Sequence, residues 1–293
     1  MNLASNMAPA LVDIAQEAMK FIAIAVEQTG AVLHIALNRP EQRNAMSLQM
    51  VAELRQVLQM AESTAGQPNA VRVLVLRGAG GHFCAGADLK DMAAARMRAM
   101  QTPAGEAADP DPIAQVNAEF GALCAAYAQT PLAVVAVLEG TVMGGGFGLA
   151  CVADVAIASD TARFRLPETS LGLVPAQIAP FLVERLGYSQ AKRLAVTGGR
   201  LDAAAALRVG LVHSTVDSAG VQAELDTVLA DILACAPGAL AATKALMAQA
   251  RHTAPNDLVA GAAALFSKAA QGSEGLEGMT AFIQKRKPNW ALT

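Results

Sequence analysis

Charged residues are scarce in this chain. They make up 16% of its 293 residues, and the 22 Lys and Arg nearly balance the 25 Asp and Glu. No basic run predicts binding to nucleic acid, and no acidic tail predicts a charged partner. Because 54% of the residues are hydrophobic, many exposed positions must carry alanine or another small residue. This composition favours a chain that buries much of its surface in an oligomer.

Cysteine pairs are also missing. No two cysteines form a Cys-x-x-Cys pair, and none makes a zinc pattern with the four histidines. We therefore predict reduced, buried thiols in a cytoplasmic protein and no metal site. The four cysteines are Cys84, Cys124, Cys151 and Cys235.

Neither a signal peptide nor a membrane span is predicted. The first 20 residues lack a basic segment followed by an uninterrupted apolar run. The most apolar stretch, 132–158, is interrupted by Glu139, Asp154 and a glycine cluster. It therefore favours a buried strand, turn, helix and strand, and no association with a membrane.

The order of the apolar patterns predicts an α/β core followed by helices. Strand patterns at 21–40, 71–77, 132–139 and 154–168 alternate with helical ones, whereas the chain beyond 171 is mostly helical, with one late strand in 211–217. We expect an N-terminal arm (1–20), a core (21–200) and a helical C-terminal region (201–293). Residues 93–112, with prolines at 103, 110 and 112, predict a mobile loop.

Two glycine-containing turns lie where strands give way to helices. One is Phe83–Asp88 and the other is Met143–Gly148, which contains three consecutive glycines. The first N–H groups of a helix are unpaired and carry the positive end of its dipole, so two such turns could donate to one developing oxyanion. Close packing of helix on strand explains the glycines equally well, because neither turn matches a phosphate-binding fingerprint.

Four segments together resemble the enoyl-CoA hydratase/isomerase (crotonase) superfamily over about residues 22–288. They are "HFCAGADLKDM", "EGTVMGGGFGLACVADVAIAS", "ARFRLPETSLGLVPA" and "FIQKRKP". The resemblance implies a ClpP-like spiral of ββα units and a helical C-terminal region that forms trimers or dimers of trimers. It also implies an acyl-CoA substrate and no cofactor beyond the CoA of that substrate.

The resemblance carries site residues onto this sequence. It makes the backbone N–H groups of Ala85 and Gly145 the oxyanion donors. Asp88 could be catalytic, but the better interpretation is the N-cap of the next helix. A neighbouring subunit would lend Phe282 and Lys285, although Lys285 is explained equally well as a solvated lysine. The implied substrate-binding residues are Arg43, Ala45, Ala85, Gly86, Ala87, Asp88, Leu89, Gly144, Gly145, Gly148, Pro167, Leu171, Phe282 and Lys285.

Catalytic carboxylates decide which reaction follows. Hydratases of the family carry two glutamates, and the resemblance aligns the second with Glu168 and the first with Gly148. Pattern alone would make Glu168 a solvated loop residue, and Asp154 is interpreted as structural. One carboxylate and an oxyanion hole suffice to add water across an enoyl thioester.

The same single carboxylate suits an enoyl-CoA isomerase, and its missing partner also leaves a catalytically silent acyl-CoA-binding protein open. We expect hydration because "LPETSLGLVPAQIAPFLVERLG" and "VMGGGFGLACVADVAIA" are similar to the isohexenylglutaconyl-CoA hydratase group of the superfamily. That similarity implies a branched substrate, such as a 3-substituted glutaconyl-CoA.

Overall fold

Nine strands and eleven α-helices are formed by the described residues, which are 14–67, 69–101 and 111–291 of the computed structural model. The strands are β1 (Ile24–Thr29), β2 (Val32–Leu37), β3 (Val73–Gly78), β4 (Ala133–Leu138), β5 (Thr141–Met143), β6 (Val155–Ser159), β7 (Arg163–Arg165), β8 (Arg200–Asp202) and β9 (Ser214–Val216). The helices are α1 (Ile14–Ala18), α2 (Leu48–Ser63), α3 (Leu89–Met100), α4 (Pro112–Gln129), α5 (Gly145–Val152), α6 (Ala179–Thr197), α7 (Ala203–Arg208), α8 (Val221–Ala234), α9 (Pro237–Ala250), α10 (Pro255–Gln271) and α11 (Ser273–Ile283).

A six-stranded sheet in the order β1-β2-β3-β4-β6-β9 forms the centre of the fold. The β1–β2 hairpin is antiparallel and the other pairs are parallel, which requires crossover connections between them. Side chains alternate between the faces, so Leu74 and Val134 join one hydrophobic cluster while Val73 and Val135 join another. Both faces are therefore covered, as expected for a parallel sheet of apolar strands.

Strands β5, β7 and β8 form a second, three-stranded sheet in the order β5-β7-β8. Strand β7 runs parallel to β5 and antiparallel to β8. Strands β5 and β8, of three residues each, were not predicted. Together the two sheets and their helices confirm the expected α/β class.

The start of the chain is fixed by a buried carboxylate. Glu53 of α2 is 2% exposed, and it accepts hydrogen bonds from the N–H groups of Ile22, Ala23 and Ile24 at 2.8–3.0 Å. The Gln49 side chain donates to the same carboxylate at 2.8 Å. Most of the predicted arm, residues 1–13, lies outside the described residues, and its described end is α1.

The C-terminal region is helical, as expected, but the boundary predicted at residue 200 falls too early. Strand β9 (214–216) pairs with β6 and so belongs to the central sheet. Helices α9 and α10 contain no buried residue within the chain. No single helix in the described ranges is long and apolar enough to cross a bilayer. One pair of described helices, α8 and α9, reaches the required length and apolarity when taken together, but the two are bent by 98° at their junction.

The predicted loop at 93–112 is wrong over its first part. Helix α3 continues to Met100, and Asp111 caps α4 by accepting from the N–H of Ile113 at 2.8 Å. Ala93, Ala94 and Ala95 are good helix formers. They continue α3 past residue 93, where the predicted loop was expected to begin. Residues 102–110, where the rest of that prediction falls, lie outside the described residues.

Candidate active site

The two glycine-containing turns lie side by side, because their first residues pair like strands. Cys84 and Val142 form an isolated parallel bridge. The Cys84 N–H donates to the Thr141 carbonyl and the Met143 N–H donates to the Cys84 carbonyl, both at 2.9 Å. A Cβ on Gly146 would lie 2.7 Å from the Cys84 Cβ, so α5 packs directly on the first turn. Close packing therefore explains Gly146, and the same packing brings the two helix N-termini together.

One N–H of the first turn is already occupied. The Ala85 N–H donates to the Arg43 carbonyl at 2.9 Å. Arg43 lies in a left-handed conformation, with φ of 48°, which turns that carbonyl toward Ala85. The prediction that Ala85 provides an oxyanion donor is therefore wrong.

Ala87 presents the free N–H instead. The Met46 N–H donates to the Gly86 carbonyl at 2.7 Å, and the Asp88 N–H donates to the Met46 carbonyl at 2.9 Å. Peptide groups alternate in direction along such a pairing, so the Ala87 N–H points away from Met46. Neither Ala87 nor Gly145, the first residue of α5, has an acceptor for its N–H among the described residues.

A buried asparagine holds the segment that carries Arg43. The Asn44 side chain is fully buried, and its φ of 55° is left-handed. Its Oδ1 accepts from the Arg39 N–H at 2.8 Å, while its Nδ2 donates to the carbonyls of Ala79 and His82 at 2.9 and 2.6 Å. The first bond closes residues 39–44 on themselves, and the other two hold this segment against the loop that leads into the first turn.

Asp88 is an N-cap, as predicted. Its carboxylate accepts from the Lys90 N–H at 2.9 Å and pairs with the Arg39 guanidinium at 2.7 Å. Burial alone would raise its pKa, but the Lys90 N–H and Arg39 outweigh burial and hold the pKa of Asp88 below its usual value. Asp88 therefore stays ionised and serves structure in the turn.

Glu168 lies against the second turn. A Cβ on Gly144 would lie 3.1 Å from the Glu168 Oε1 and 3.6 Å from the Gly86 Cα, so Gly144 separates the carboxylate from the first turn. The Glu168 Oε2 is buried without a hydrogen-bond partner among the described residues. Burial raises the pKa of the Glu168 carboxyl. Leaving a buried carboxylate oxygen without a hydrogen bond destabilises the folded protein. Such an arrangement is typical of a catalytic acid or base.

The space beside Gly148 is filled by the side chains of two apolar residues. A Cβ there would overlap the Ile178 Cγ2 and lie 3.6 Å from the Phe120 Cζ. Ile178 is only 4% exposed. An apolar contact therefore occupies the position where the family's first glutamate would begin.

A small cavity of about 70 Å³ opens next to both free N–H groups. Its apolar lining comes mainly from α2, α3 and α4, and the described residues that line it include no lysine or arginine. Asp88, Asp91 and Asn117 border it, and each is already hydrogen-bonded to the protein. The full lining is Met46, Leu48, Val51, Ala87, Asp88, Asp91, Met92, Val116, Asn117, Phe120 and Gly145.

Of the remaining predicted site residues, some lie near the two turns and others do not contact them in the described chain. Arg43 and Ala45 contact the site region through their backbone carbonyls. The Arg43 carbonyl accepts from the Ala85 N–H at 2.9 Å, and the Ala45 carbonyl accepts at 2.6 Å from Arg39, which pairs with Asp88. Leu89 and Leu171 are exposed beside it, and Pro167 precedes the short helical turn that carries Glu168. Phe282 and Lys285 are exposed at the end of α11, and no contact in the described chain joins them to the site.

Comparisons with known proteins identify the family of this chain. The family model for enoyl-CoA hydratase/isomerase matches residues 27–292. A probable enoyl-CoA hydratase of Mycobacterium tuberculosis is 31% identical over 93% of this chain and 99% of its own. The 2,3-dehydroadipyl-CoA hydratase of Escherichia coli is 31% identical over 90% of this chain and 97% of its own.

Two solved structures are more similar in sequence. An enoyl-CoA hydratase/isomerase from Marinobacter aquaeolei is 49% identical, with a TM-score of 0.85 over 92% of this chain and 99% of its own. Pseudomonas aeruginosa AtuE is also 49% identical, with a TM-score of 0.85 over 92% of this chain and 100% of its own.

Proposed function

Since the chain belongs to the enoyl-CoA hydratase/isomerase (crotonase) family, we propose that it hydrates a branched enoyl-CoA thioester with Glu168 as its one catalytic carboxylate. The family assignment makes it an enzyme of the enoyl-CoA hydratase type that acts on an acyl-CoA substrate. The proposal includes 3-substituted glutaconyl-CoA esters such as isohexenylglutaconyl-CoA.

One observation carries the proposal: the Glu168 carboxylate lies against the second turn, with Oε1 next to Gly144 and Oε2 buried without a hydrogen-bond partner among the described residues, while each of the two adjoining turns offers a free N–H. The N–H groups of Ala87 and Gly145 would bind the thioester oxygen and stabilise the negative charge that develops on it when the enolate forms. No metal or redox cofactor is needed, because the reaction only adds water and moves protons.

Glu168 would perform both proton transfers. Its carboxylate takes a proton from water while the oxygen of that water attacks C3, and electrons move onto the thioester oxygen. The protonated Glu168 then returns a proton to C2 as the enolate collapses, so one water is added in total. Because the base form is required, kcat/KM falls as the pH decreases through the raised pKa of Glu168.

The single carboxylate also supports a second candidate, isomerisation of a 3-enoyl-CoA to a 2-enoyl-CoA. The filled space beside Gly148 favours it, because among the described residues an apolar contact, rather than a second carboxylate that could orient water, occupies that position. A silent binding protein is disfavoured by the cost of keeping Glu168 unpaired. The two reactions differ in product, since hydration destroys the conjugated double bond and isomerisation creates it.

The test is a panel of 2-enoyl and 3-enoyl CoA esters followed by enoyl absorbance and product analysis. Glu168→Gln should lower turnover by about 10²–10⁴-fold while acyl-CoA binding is retained. Glu27→Gln, at an exposed glutamate of β1, is the matched control and should keep full activity. Near-normal turnover in Glu168→Gln would refute the mechanism.

We also propose that the chain assembles into trimers or dimers of trimers. Large apolar side chains of the C-terminal helices are exposed in the isolated chain, which supports an interface there. They are Met247, Val259, Phe266, Leu276, Met279, Phe282 and Ile283. A stable monomer in light scattering at micromolar concentration would contradict this.

A further inference from the structure

The contact between Phe120 and α5 is unusually close to the proposed reaction centre. The Phe120 Cζ lies 3.1 Å from the position of a Cβ on Gly145 and 3.6 Å from that of a Cβ on Gly148. These two residues are one turn apart, which corresponds to about 4.5 Å along α5. The ring edge of Phe120 therefore borders the whole first turn of the helix whose first N–H is free.

Ile178 completes this surface. It packs over Gly148, and the residue before it is tied to α4, because the Gln177 Nε2 donates to the Asn117 Oδ1 at 2.9 Å. Gly121 allows the Gln177 side chain to pass closely over α4, since a Cβ there would overlap the Gln177 amide. We refer to Phe120 and Ile178 together as the apolar wall.

We propose that the apolar wall selects enoyl thioesters that carry an alkyl branch on the β-carbon. This inference rests on the proposed function, in which the Gly145 N–H binds the thioester oxygen. The carbons next to that carbonyl then lie along the first turn of α5, beside Phe120 and Ile178. None of the described residues that line the cavity adjoining Gly145 is cationic, so the group it accepts beside the wall is alkyl rather than carboxylate.

The wall also explains the single carboxylate. A glutamate at position 148 would have to displace Ile178, because its Cβ alone would overlap the Ile178 Cγ2 and lie 3.6 Å from the Phe120 Cζ. Burying an unpaired carboxylate in such surroundings is strongly unfavourable. Loss of the first glutamate and gain of an alkyl-binding surface are therefore two results of the same packing.

The first experiment compares 3-methylcrotonyl-CoA, which has a β-methyl branch, with crotonyl-CoA, which has none. Wild type should prefer the branched ester. Phe120→Ala and Ile178→Ala should each lower the branched-to-unbranched ratio of kcat/KM by about 10-fold or more, the range for loss of one apolar contact in a pocket. Phe181→Ala, at another partly buried aromatic that is not among the nearest neighbours of Gly145 or Gly148, is the matched control and should leave the ratio unchanged.

Binding separates this inference from the proposed function. The saturated esters 3-methylbutyryl-CoA and butyryl-CoA should show the same change in Kd ratio by calorimetry, whether or not the protein turns over any enoyl ester. A wild type that binds with the expected ratio but hydrates nothing refutes hydration and supports the wall. Kd and kcat/KM ratios that stay unchanged in both wall variants overturn the wall.

The second experiment restores the family's residue. Gly148→Glu alone should lower thermal stability and crotonyl-CoA hydration, because Ile178 blocks the new side chain. Adding Ile178→Ala to it should recover both. If Gly148→Glu alone is as stable and as active as the double variant, Ile178 does not fill this position and the inference is wrong.

Discussion

Replacing Asn44 with alanine should cost about 4 kcal/mol of folding free energy. The side chain makes three hydrogen bonds at 2.6–2.9 Å in a fully buried position. At about 1 kcal/mol each, their loss accounts for about 3 kcal/mol. Alanine must also adopt the left-handed conformation that Asn44 has, which adds about 1–2 kcal/mol.

Asn44→Gly separates these two contributions. Glycine loses the same three hydrogen bonds but accepts the left-handed φ of 55°, so it should be about 1 kcal/mol more stable than alanine. Urea-induced unfolding at one fixed protein concentration measures both differences. Glycine and alanine variants of equal stability would show that backbone strain is unimportant here.

The same change should reach the active site. The segment clamped by Asn44 carries the Arg43 carbonyl that fixes Ala85, two residues before the proposed donor Ala87. Small displacements of reacting groups are expensive, so kcat should fall by about 10–100-fold even well below the unfolding temperature. Full activity together with a stability loss below about 1 kcal/mol would refute the role assigned to the three bonds.

Two further predictions concern buried carboxylates. Glu53→Gln should increase hydrogen exchange of the β1 amides by weakening the contacts to Ile22–Ile24, whereas Glu27→Gln should not, and equal exchange in the two variants would contradict this. Because burial raises the pKa of Glu168, ionisation of that group favours the unfolded chain, so Glu168→Gln should unfold at a higher temperature than wild type above the raised pKa. The difference should disappear as the pH falls below the unfolded value of about 4.3, and a destabilised variant at pH 8 would contradict the assignment.

Local signals predicted the regular elements well. Asp88 caps α3, as predicted, and Ser47, a residue type that is common at this position, caps α2 by accepting from the Met50 N–H. The long strands β2, β3 and β4 were recognisable because they are apolar on both faces. In each case the information lies within a few neighbouring residues.

The site could be predicted only in part, because its decisive features are contacts between distant residues. The sequence shows two alanines in "AGAD", but only the pairing of Arg43 with Ala85 determines which N–H stays free. Likewise, Gly148 shows that a carboxylate is absent, but not that Ile178, thirty residues later, fills its place. The roles of individual atoms therefore required the three-dimensional arrangement.

The order of strands in the central sheet has a consequence for synthesis on the ribosome. Each of the five strands after β1 pairs with the strand of the same sheet that was translated before it, so the sheet can grow in the direction in which the chain emerges. Strand β6 cannot receive its last neighbour until β9, at 214–216, has been made. At about 5–20 residues per second, that delay lasts roughly 3–11 s. During this interval the free edge of β6 is exposed to pairing with another nascent chain.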